Sequence, residues 1–321
     1  MSAGTVLVVS GPTATGKTAL GILLAQRLGG EIVSADSMQV YRRMDIGTAK
    51  ASAAERNAVP HHMLDVVDPG EDYSVSRYVQ DASLCCDDLL SRGVLPVIVG
   101  GTGLYIDALI AGVSFAARED GDPALRRDLA ARFDIEGGDS LLRELASFDP
   151  ERASKLHVSD KRRIVRAIEI YRLTGETMTE HDRRTRALPP RYNAVRIVLD
   201  YVRRSDLYAA IDQRVDDMCA AGLFDEVRSL LGEGLSPACT AMQAIGYKEV
   251  ARALEGELSE EEAVVLIKQN SRRYAKRQRT WFARAEDAFR LNWELRPDPA
   301  AGTAAVADYL AGHGLKGREC P

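Results

Sequence analysis

The segment Gly11-Pro-Thr-Ala-Thr-Gly16-Lys17-Thr18 limits this chain more than any other feature does. It matches G-x-x-x-x-G-K-[ST], and its flanks are those the motif requires. The apolar run Thr5–Ser10 precedes it and a helical pattern follows. Such a loop works only where a strand ends and a helix begins, because the backbone N–H groups of the turn and the helix N-terminus must converge on one anion. Two further apolar runs, Glu31–Ala35 and Val94–Val99, alternate with helical patterns. Continuous apolar strands separated by helices predict βαβ units and a parallel sheet buried on both faces.

From Arg118 to Asn193 helix starts follow one another and no strand-like run occurs. Asp122-Pro123 and Asp149-Pro150 each set an N-cap before a proline suited to the first helical turn. Ser159 is placed to cap a helix ending at Thr174, with Gly175 as its stop. Ala194–Asp200 reads as a strand returning to the sheet. The rest reads as mostly helical, with Ser205 placed to cap the helix that carries Arg214. The last ~25 residues, rich in Gly, Ala and Pro, read as loosely held. The expected fold is α/β, a P-loop-type parallel sheet flanked by helices with an all-helical insertion domain. The core domain takes residues 1–117 and 194–321, and the insertion takes 118–193.

The chain has 321 residues, 42 basic against 47 acidic, and a net charge of −5. This excludes a uniformly basic nucleic-acid coat but not local basic patches. Cys85, Cys86, Cys219, Cys239 and Cys320 are scattered without a C-x-x-C pair, which speaks against a zinc ribbon or disulfide framework. No apolar run reaches the ~18 residues of a membrane span, and no signal peptide is evident, so a cytoplasmic protein without membrane association is expected.

In the loop, Lys17 supplies a charge to terminal phosphates and Thr18 a hydroxyl for Mg²⁺. No N-K-x-D guanine-reading motif occurs. The third apolar run ends in Gly100-Gly101-Thr102-Gly103, without an acid, and the acid nearest the loop is Asp36 after the second run. Strand C-termini surround the ligand crevice of an open parallel sheet, so Asp36 and Thr102 should face the site. By position, Asp36 is equally a metal ligand, a general base or a helix N-cap.

Four segments together closely resemble the tRNA dimethylallyltransferase (tRNA isopentenyltransferase) family: Gly11–Thr18, Ser34–Lys50, His61–Pro69 and Val99–Leu109. Asp160–Gly175, Gln213–Val227, Gln243–Val250 and Asn270–Arg284 extend the resemblance over residues 5 to 285. It implies transfer of a dimethylallyl group from dimethylallyl diphosphate to N6 of the adenosine 3′-adjacent to the anticodon of tRNA, with release of diphosphate. It places Gly11, Thr13, Ala14, Thr15, Gly16, Lys17, Thr18 and Arg214 on the diphosphate. Asp36 falls on the family's base, and Thr102 lies near the reacting amine. Ser37, Met38 and Gln39 fall on contacts to the target adenosine, and Gln39 has a donor and an acceptor suited to an adenine edge. Arg163 and Arg166 fall on a segment of the insertion that grips the anticodon stem-loop. His61 and His62 match a family motif to which no chemistry is assigned here.

Lys268, Arg272, Lys276 and Arg279 recur at helical spacing with Arg273, Arg277 and Arg284 beside them, and no acid interrupts Ala263–Ala285. Read as uncompensated, these cations call for a phosphate backbone, so Arg272, Lys276 and Arg279 are expected to meet tRNA. A second basic run, Lys161 to Arg172, has only Glu169 within it as an opposing charge. The expected protein is a monomeric Mg²⁺-dependent prenyltransferase. A small-molecule or nucleoside kinase, an enzyme alkylating free AMP, ADP or ATP, and a non-catalytic RNA-binding protein are the competing readings.

Overall fold

The computed structural model describes residues 3–113 and 122–317. The chain divides into two compact units, residues 1–110 with 191–321, and residues 111–190. The sequence-based boundary at 117/118 lies outside the described residues, as does Cys320.

The first unit is built on an all-parallel sheet of six strands: β1 (Gly4–Ser10), β2 (Gly30–Ser34), β3 (His61–His62), β4 (Leu95–Gly100), β5 (Tyr192–Tyr201) and β6 (Phe289–Trp293), in the order β3-β2-β4-β1-β5-β6. Val6 to Val9 of β1 are at most 1% exposed, as expected for a strand covered by helices on both sides. The chain leaves β1 toward β2 on one side of the sheet and leaves β4 toward β5 on the other. The crevice therefore opens at the C-terminal ends of β1 and β4, where Ser10 pairs with Gly100. Ser34 of β2 pairs with Val99, which brings the residues after β2 to the same edge.

Two expectations fail in this unit. As far as Gly317 the tail is not loose, and β6 just before it pairs with β5 from Ile197↔Phe289 to Tyr201↔Trp293. Helices Pro299–Ala305 and Ala307–Gly312 follow, and Val306 and Leu310 are buried in the same core as Leu20, Leu24 and Trp293. The apolar residues of this segment are few but fall where they can dock. Nor does Ser205 cap the helix Arg204–Ala220, whose N-cap is Arg203 with no side-chain cap.

The second unit has its own core of Leu129, Leu141, Leu145, Ile164, Val165 and Ile168, contributed by helices Pro123–Glu136, Gly138–Phe148 and Lys161–Thr174. Asp122 caps the first of these through the amides of Ala124 and Leu125, and Asp149 caps the short Pro150–Ala153 helix through Arg152 N. Gly175 ends Lys161–Thr174 in the left-handed conformation. Its N-cap is Asp160 rather than Ser159, whose hydroxyl instead pairs with His157. Glu169 is fully buried on this helix between Arg126 and Arg166, and further takes the amide of Asp122.

Candidate active site

The phosphate loop is held by its carbonyls. Pro12 O accepts from the Thr15 hydroxyl at 2.8 Å and from Lys17 Nζ at 2.5 Å. Ala14 O accepts from the Tyr201 hydroxyl at 3.2 Å, and Thr15 O from Trp293 Nε1 at 2.9 Å. Tying the oxygens back leaves the amide side of the turn to face the crevice, which is the polarity an anion needs. Gly16 sits at φ 74° ahead of helix Lys17–Leu28, and a Cβ there would lie 2.8 Å from Pro297 Cβ, so both conformation and contact require glycine. Ala14 adopts φ 64°, a strained value for a non-glycine residue that the three flanking tethers hold in place.

A cavity of about 540 Å³ lies over this loop, lined by Thr13 to Ala19, Asp36 to Gln39, Gly100 and Gly101, Arg214, Tyr274 and Gln278 among others. It brings together the loop, the acid after β2 and the glycine turn after β4. Lys17 is half-buried, and the loss of hydration there, with the nearby Arg214 guanidinium, lowers its pKa from 10.5 to about 7, the charge of Asp36 opposing that fall. Burial also lowers the Arg214 pKa, with Asp36 again opposing. Two cations and one carboxylate thus share a site in which no ion pair neutralises the cations among the described residues, a surplus of positive charge suited to a polyanion.

Asp36 caps no helix. Its Oδ1 accepts from Met38 N at 2.9 Å, an Asx turn that leaves the other oxygen open to the cavity wall it lines. The Thr102 hydroxyl accepts from Ser37 N at 3.1 Å, and Thr102 N donates to Ala35 O, so the two strand-end turns are stitched to each other. Tyr274 stands beside them. Its phenol is raised to about 12, chiefly by burial and then by the charge of Asp36.

Gln39 lines the cavity, but its amide is committed: Nε2 donates to Thr48 O and Ala49 O, and Oε1 accepts from the Ser34 hydroxyl. In this state it shapes the wall instead of presenting an open hydrogen-bonding edge. Thr13 is similar, its amide donating to Gln278 Oε1 at 3.0 Å. The segment after Gln39 is fixed from two sides. Lys50 Nζ, fully buried, bridges Asp45 and Asp65 and donates to Tyr41 O. Glu226 accepts from the amides of Asp45, Ile46 and Gly47 and from the Tyr247 hydroxyl. Tyr41 is core, fully buried. His61 and His62 lie on β3 facing opposite ways, the first bonded to Val59 O and the second to Glu31.

The basic helix, Glu260–Phe282, is not uncompensated. Lys268 pairs with Asp216 at 2.6 Å, Arg272 with Asp212 at 2.6 Å and Arg279 with Asp200 at 2.7 Å. The acids come from helix Arg204–Ala220 and β5, so a scan along the basic helix alone misses them. Lys276 and Arg273 are exposed and carry no ion pair among the described residues, and the exposed Arg277 lies over the Tyr274 ring. The insertion's basic run is likewise answered: Lys161 by Asp134, Arg163 by Asp160, Arg166 by Glu169 and Arg172 by Glu144. Arg162 has no ion pair among the described residues.

A family model described as IPP transferase matches residues 39–285, and one described as isopentenyl transferase matches residues 4–65. A tRNA dimethylallyltransferase of Pelotomaculum thermopropionicum is 46% identical over 305 residues, 95% of each chain. The chain belongs to the IPP transferase family. A second relative in this family, the tRNA dimethylallyltransferase of Desulforudis audaxviator, is 47% identical over 95% of this chain and 96% of its own. The solved tRNA isopentenylpyrophosphate transferase of Bacillus halodurans is 39% identical, covers 96% of both chains and gives a TM-score of 0.70. A eukaryotic dimethylallyltransferase acting on tRNA is 29% identical over 96% of this chain and 80% of its own, with a TM-score of 0.79. Like other members of the family the protein is a transferase enzyme, and the sheet described above is the fold these neighbours share.

Among the residues that shape this family member's site, sequence reasoning missed Trp293, Tyr201, Gln278, Tyr274 and Glu226. Phe289, Leu291 and Trp293 alternate with exposed Arg290 and Asn292, a period of two that marks β6. Gln278 and Glu226 carry no comparable local signal.

Proposed function

We propose that the protein transfers the dimethylallyl group of dimethylallyl diphosphate to N6 of the adenosine 3′-adjacent to the anticodon of tRNA. The observation that carries this reading is the meeting of a cationic anion cradle and the Asp36 carboxylate in one cavity. The diphosphate lies on the amides between Ala14 and Thr18, with Gly11 and Gly16 letting the backbone approach and Lys17 and Arg214 at its oxygens. Thr13 contributes through its side chain or position, since its amide is engaged.

Adenine N6 is a weak nucleophile because its lone pair is delocalised into the ring. As that pair forms the new bond to C1 of the allyl group, the C1–O bond breaks and its electrons leave with the diphosphate. The N6 proton passes to Asp36, a step worth ~10²–10⁴-fold. Lys17, Arg214 and the loop amides stabilise the charge growing on the leaving group, and Thr102 keeps the Asp36–Ser37 turn in register with the cradle. The target base is extruded from its stack to enter, and Ser37, Met38 and the wall set by Gln39 receive it.

A divalent ion suits this site in one form only. No group of three or more His, Cys, Asp or Glu side chains able to cage a metal occurs among the described residues. If Mg²⁺ binds, the Thr18 hydroxyl would be its protein ligand, beside the phosphates of the donor. When bound it neutralises part of the leaving-group charge.

The exposed Lys276 and Arg273 of the basic helix are proposed to meet the tRNA backbone, with Arg272 and Arg279 contributing the residual field of ion-paired guanidinium groups. In the second unit Arg162, Arg163 and Arg166 are proposed to contact the anticodon stem. A tRNA substrate supports a cytoplasmic location. No helix among the described residues is long and apolar enough to cross a membrane.

The test is incubation with unmodified tRNA, dimethylallyl diphosphate and Mg²⁺, followed by digestion and mass analysis. N6-dimethylallyladenosine in the tRNA supports the proposal. Prenylation of free AMP, ADP or ATP in place of tRNA, or transfer of a γ-phosphate from ATP without any prenyl transfer, contradicts it.

A further inference from the structure

Gln278 stands on the basic helix, yet its side chain is buried at 5% exposure and points away from solvent. Its two amide atoms reach different loops. Oε1 accepts from Thr13 N at 3.0 Å, in the phosphate loop, and Nε2 donates to Gly101 O at 2.9 Å, in the turn after β4. These partners stand 265 and 177 residues away in sequence. A Cβ on Gly101 would lie 2.4 Å from Gln278 Nε2, so the turn is shaped around this amide. Just before it on the same helix, Lys276 is exposed and Arg277 lies over Tyr274.

A carboxamide is the one side chain of this length that both accepts and donates at neutral pH. Glutamate accepts only, and methionine does neither in any strength. The Thr13 amide belongs to a turn whose carbonyls at Pro12, Ala14 and Thr15 are already engaged, and Gly101 precedes Thr102, whose hydroxyl holds Ser37 next to Asp36. One amide therefore fixes the spacing between the anion cradle and the turn beside the base. We propose that Gln278 is a positioning residue for the diphosphate: it sets the phosphate loop and the 100–103 turn at the separation the leaving group requires, and ties both to the helix on which RNA docking is proposed. This rests on the reading of the cavity as a diphosphate site.

The experiment compares wild type, Gln278→Met and Gln278→Glu for binding of inorganic diphosphate with Mg²⁺, for KM and kcat with dimethylallyl diphosphate, and for tRNA affinity, each at several pH values. Gln278→Met is expected to weaken inorganic diphosphate and raise donor KM by about tenfold, with tRNA affinity and kcat within about twofold of wild type. Gln278→Glu is expected to show a similar or larger loss at pH 8 that shrinks, relative to wild type at the same pH, as the pH falls toward 5. A protonated carboxyl again donates to Gly101 O while accepting from Thr13 N, and a merely structural defect would depress kcat and tRNA affinity at pH 8 together with diphosphate binding.

Unchanged diphosphate affinity in Gln278→Met, or a loss in Gln278→Glu that is the same from pH 8 to pH 5, overturns the proposal. If Gln278→Met fails to fold, the pH response of the near-isosteric Gln278→Glu decides alone. Wild type that binds no inorganic diphosphate at all would instead refute the diphosphate site itself, a separate outcome.

Discussion

Trp293 donates its indole N–H to the carbonyl of Thr15 at 2.9 Å, joining the last strand of the sheet to the first functional loop of the chain. The bond is buried, and its partner oxygen has no water to turn to if the indole is lost. Replacing Trp293 by Phe keeps most of the ring's packing and deletes only the donor. The variant should lose about 1–2 kcal/mol of stability in a urea titration and show a raised donor KM with little change in tRNA affinity. Wild-type stability and KM together would show that the tether does not hold the loop.

Lys17 gives a pH dependence of definite sign. Its pKa falls from 10.5 to about 7 in the ligand-free protein, first through burial and then through Arg214. The cation that diphosphate needs is thus present below pH 7 and lost above it, until bound diphosphate draws the proton back. Diphosphate affinity should weaken as pH rises from 7 to 9, by up to about tenfold per unit, and binding at pH 8 should take up a proton. Calorimetry in buffers of different ionisation enthalpy measures that proton. Binding without proton uptake at pH 8 would mean that Lys17 is already charged in the free protein.

Glu226 receives three consecutive amides, those of Asp45, Ile46 and Gly47, and the Tyr247 hydroxyl. Truncation to Ala leaves these donors without a partner in a partly buried setting. Glu226→Ala should cost about 2–3 kcal/mol and also weaken adenosine capture, because the same segment forms the cavity wall at Gly47, Thr48 and Ala49. Urea denaturation and tRNA KM are the readouts, and a stable variant with normal tRNA KM would remove the segment from the account.

The ion pairs along the basic helix sort its cations. Lys276→Glu with Arg273→Glu removes two exposed charges that have no ion pair among the described residues. The tRNA dissociation constant should rise, and the slope of its logarithm against log salt should fall by about 1 for each phosphate contact removed. Diphosphate binding should stay as it is. An unaltered salt slope would place the RNA elsewhere.

How much of this was legible beforehand follows from where each signal lies. β1, β2 and β4 announce themselves because strands covered on both faces are nearly continuous in apolar residues, and β5 does so through its apolar centre, Ile197 to Leu199. β3 is two histidines long and carries no period to read. β6 is an edge strand with Arg290 and Asn292 outward, and its five residues are easily passed over in a stretch read as mostly helical. The loop, Asp36, Thr102 and Arg214 were placed by motif and resemblance, and they do line or border one cavity. The basic stripe misled, since its acids lie some 50 to 80 residues upstream. Asp212 and Asp216 are themselves four apart, matching Lys268 and Arg272 in reverse order, a pattern visible only when two helices are read against each other. The tethers made by Gln278 and Trp293 are hidden for a similar reason, although the strand that carries Trp293 is periodic, as each acts across more than 250 residues of chain.

The central claim is that one cavity holds the diphosphate on Ala14 to Thr18 while Asp36 takes the proton of adenine N6. A crystal structure with an unreactive thiolo analogue of dimethylallyl diphosphate and an anticodon stem-loop tests it most directly. The account predicts diphosphate oxygens on those amides, Lys17 Nζ turned from Pro12 O to the phosphate, and N6 within hydrogen-bond distance of the Asp36 carboxylate. Diphosphate bound away from the loop, or N6 beyond reach of Asp36 in the fully loaded complex, would contradict it.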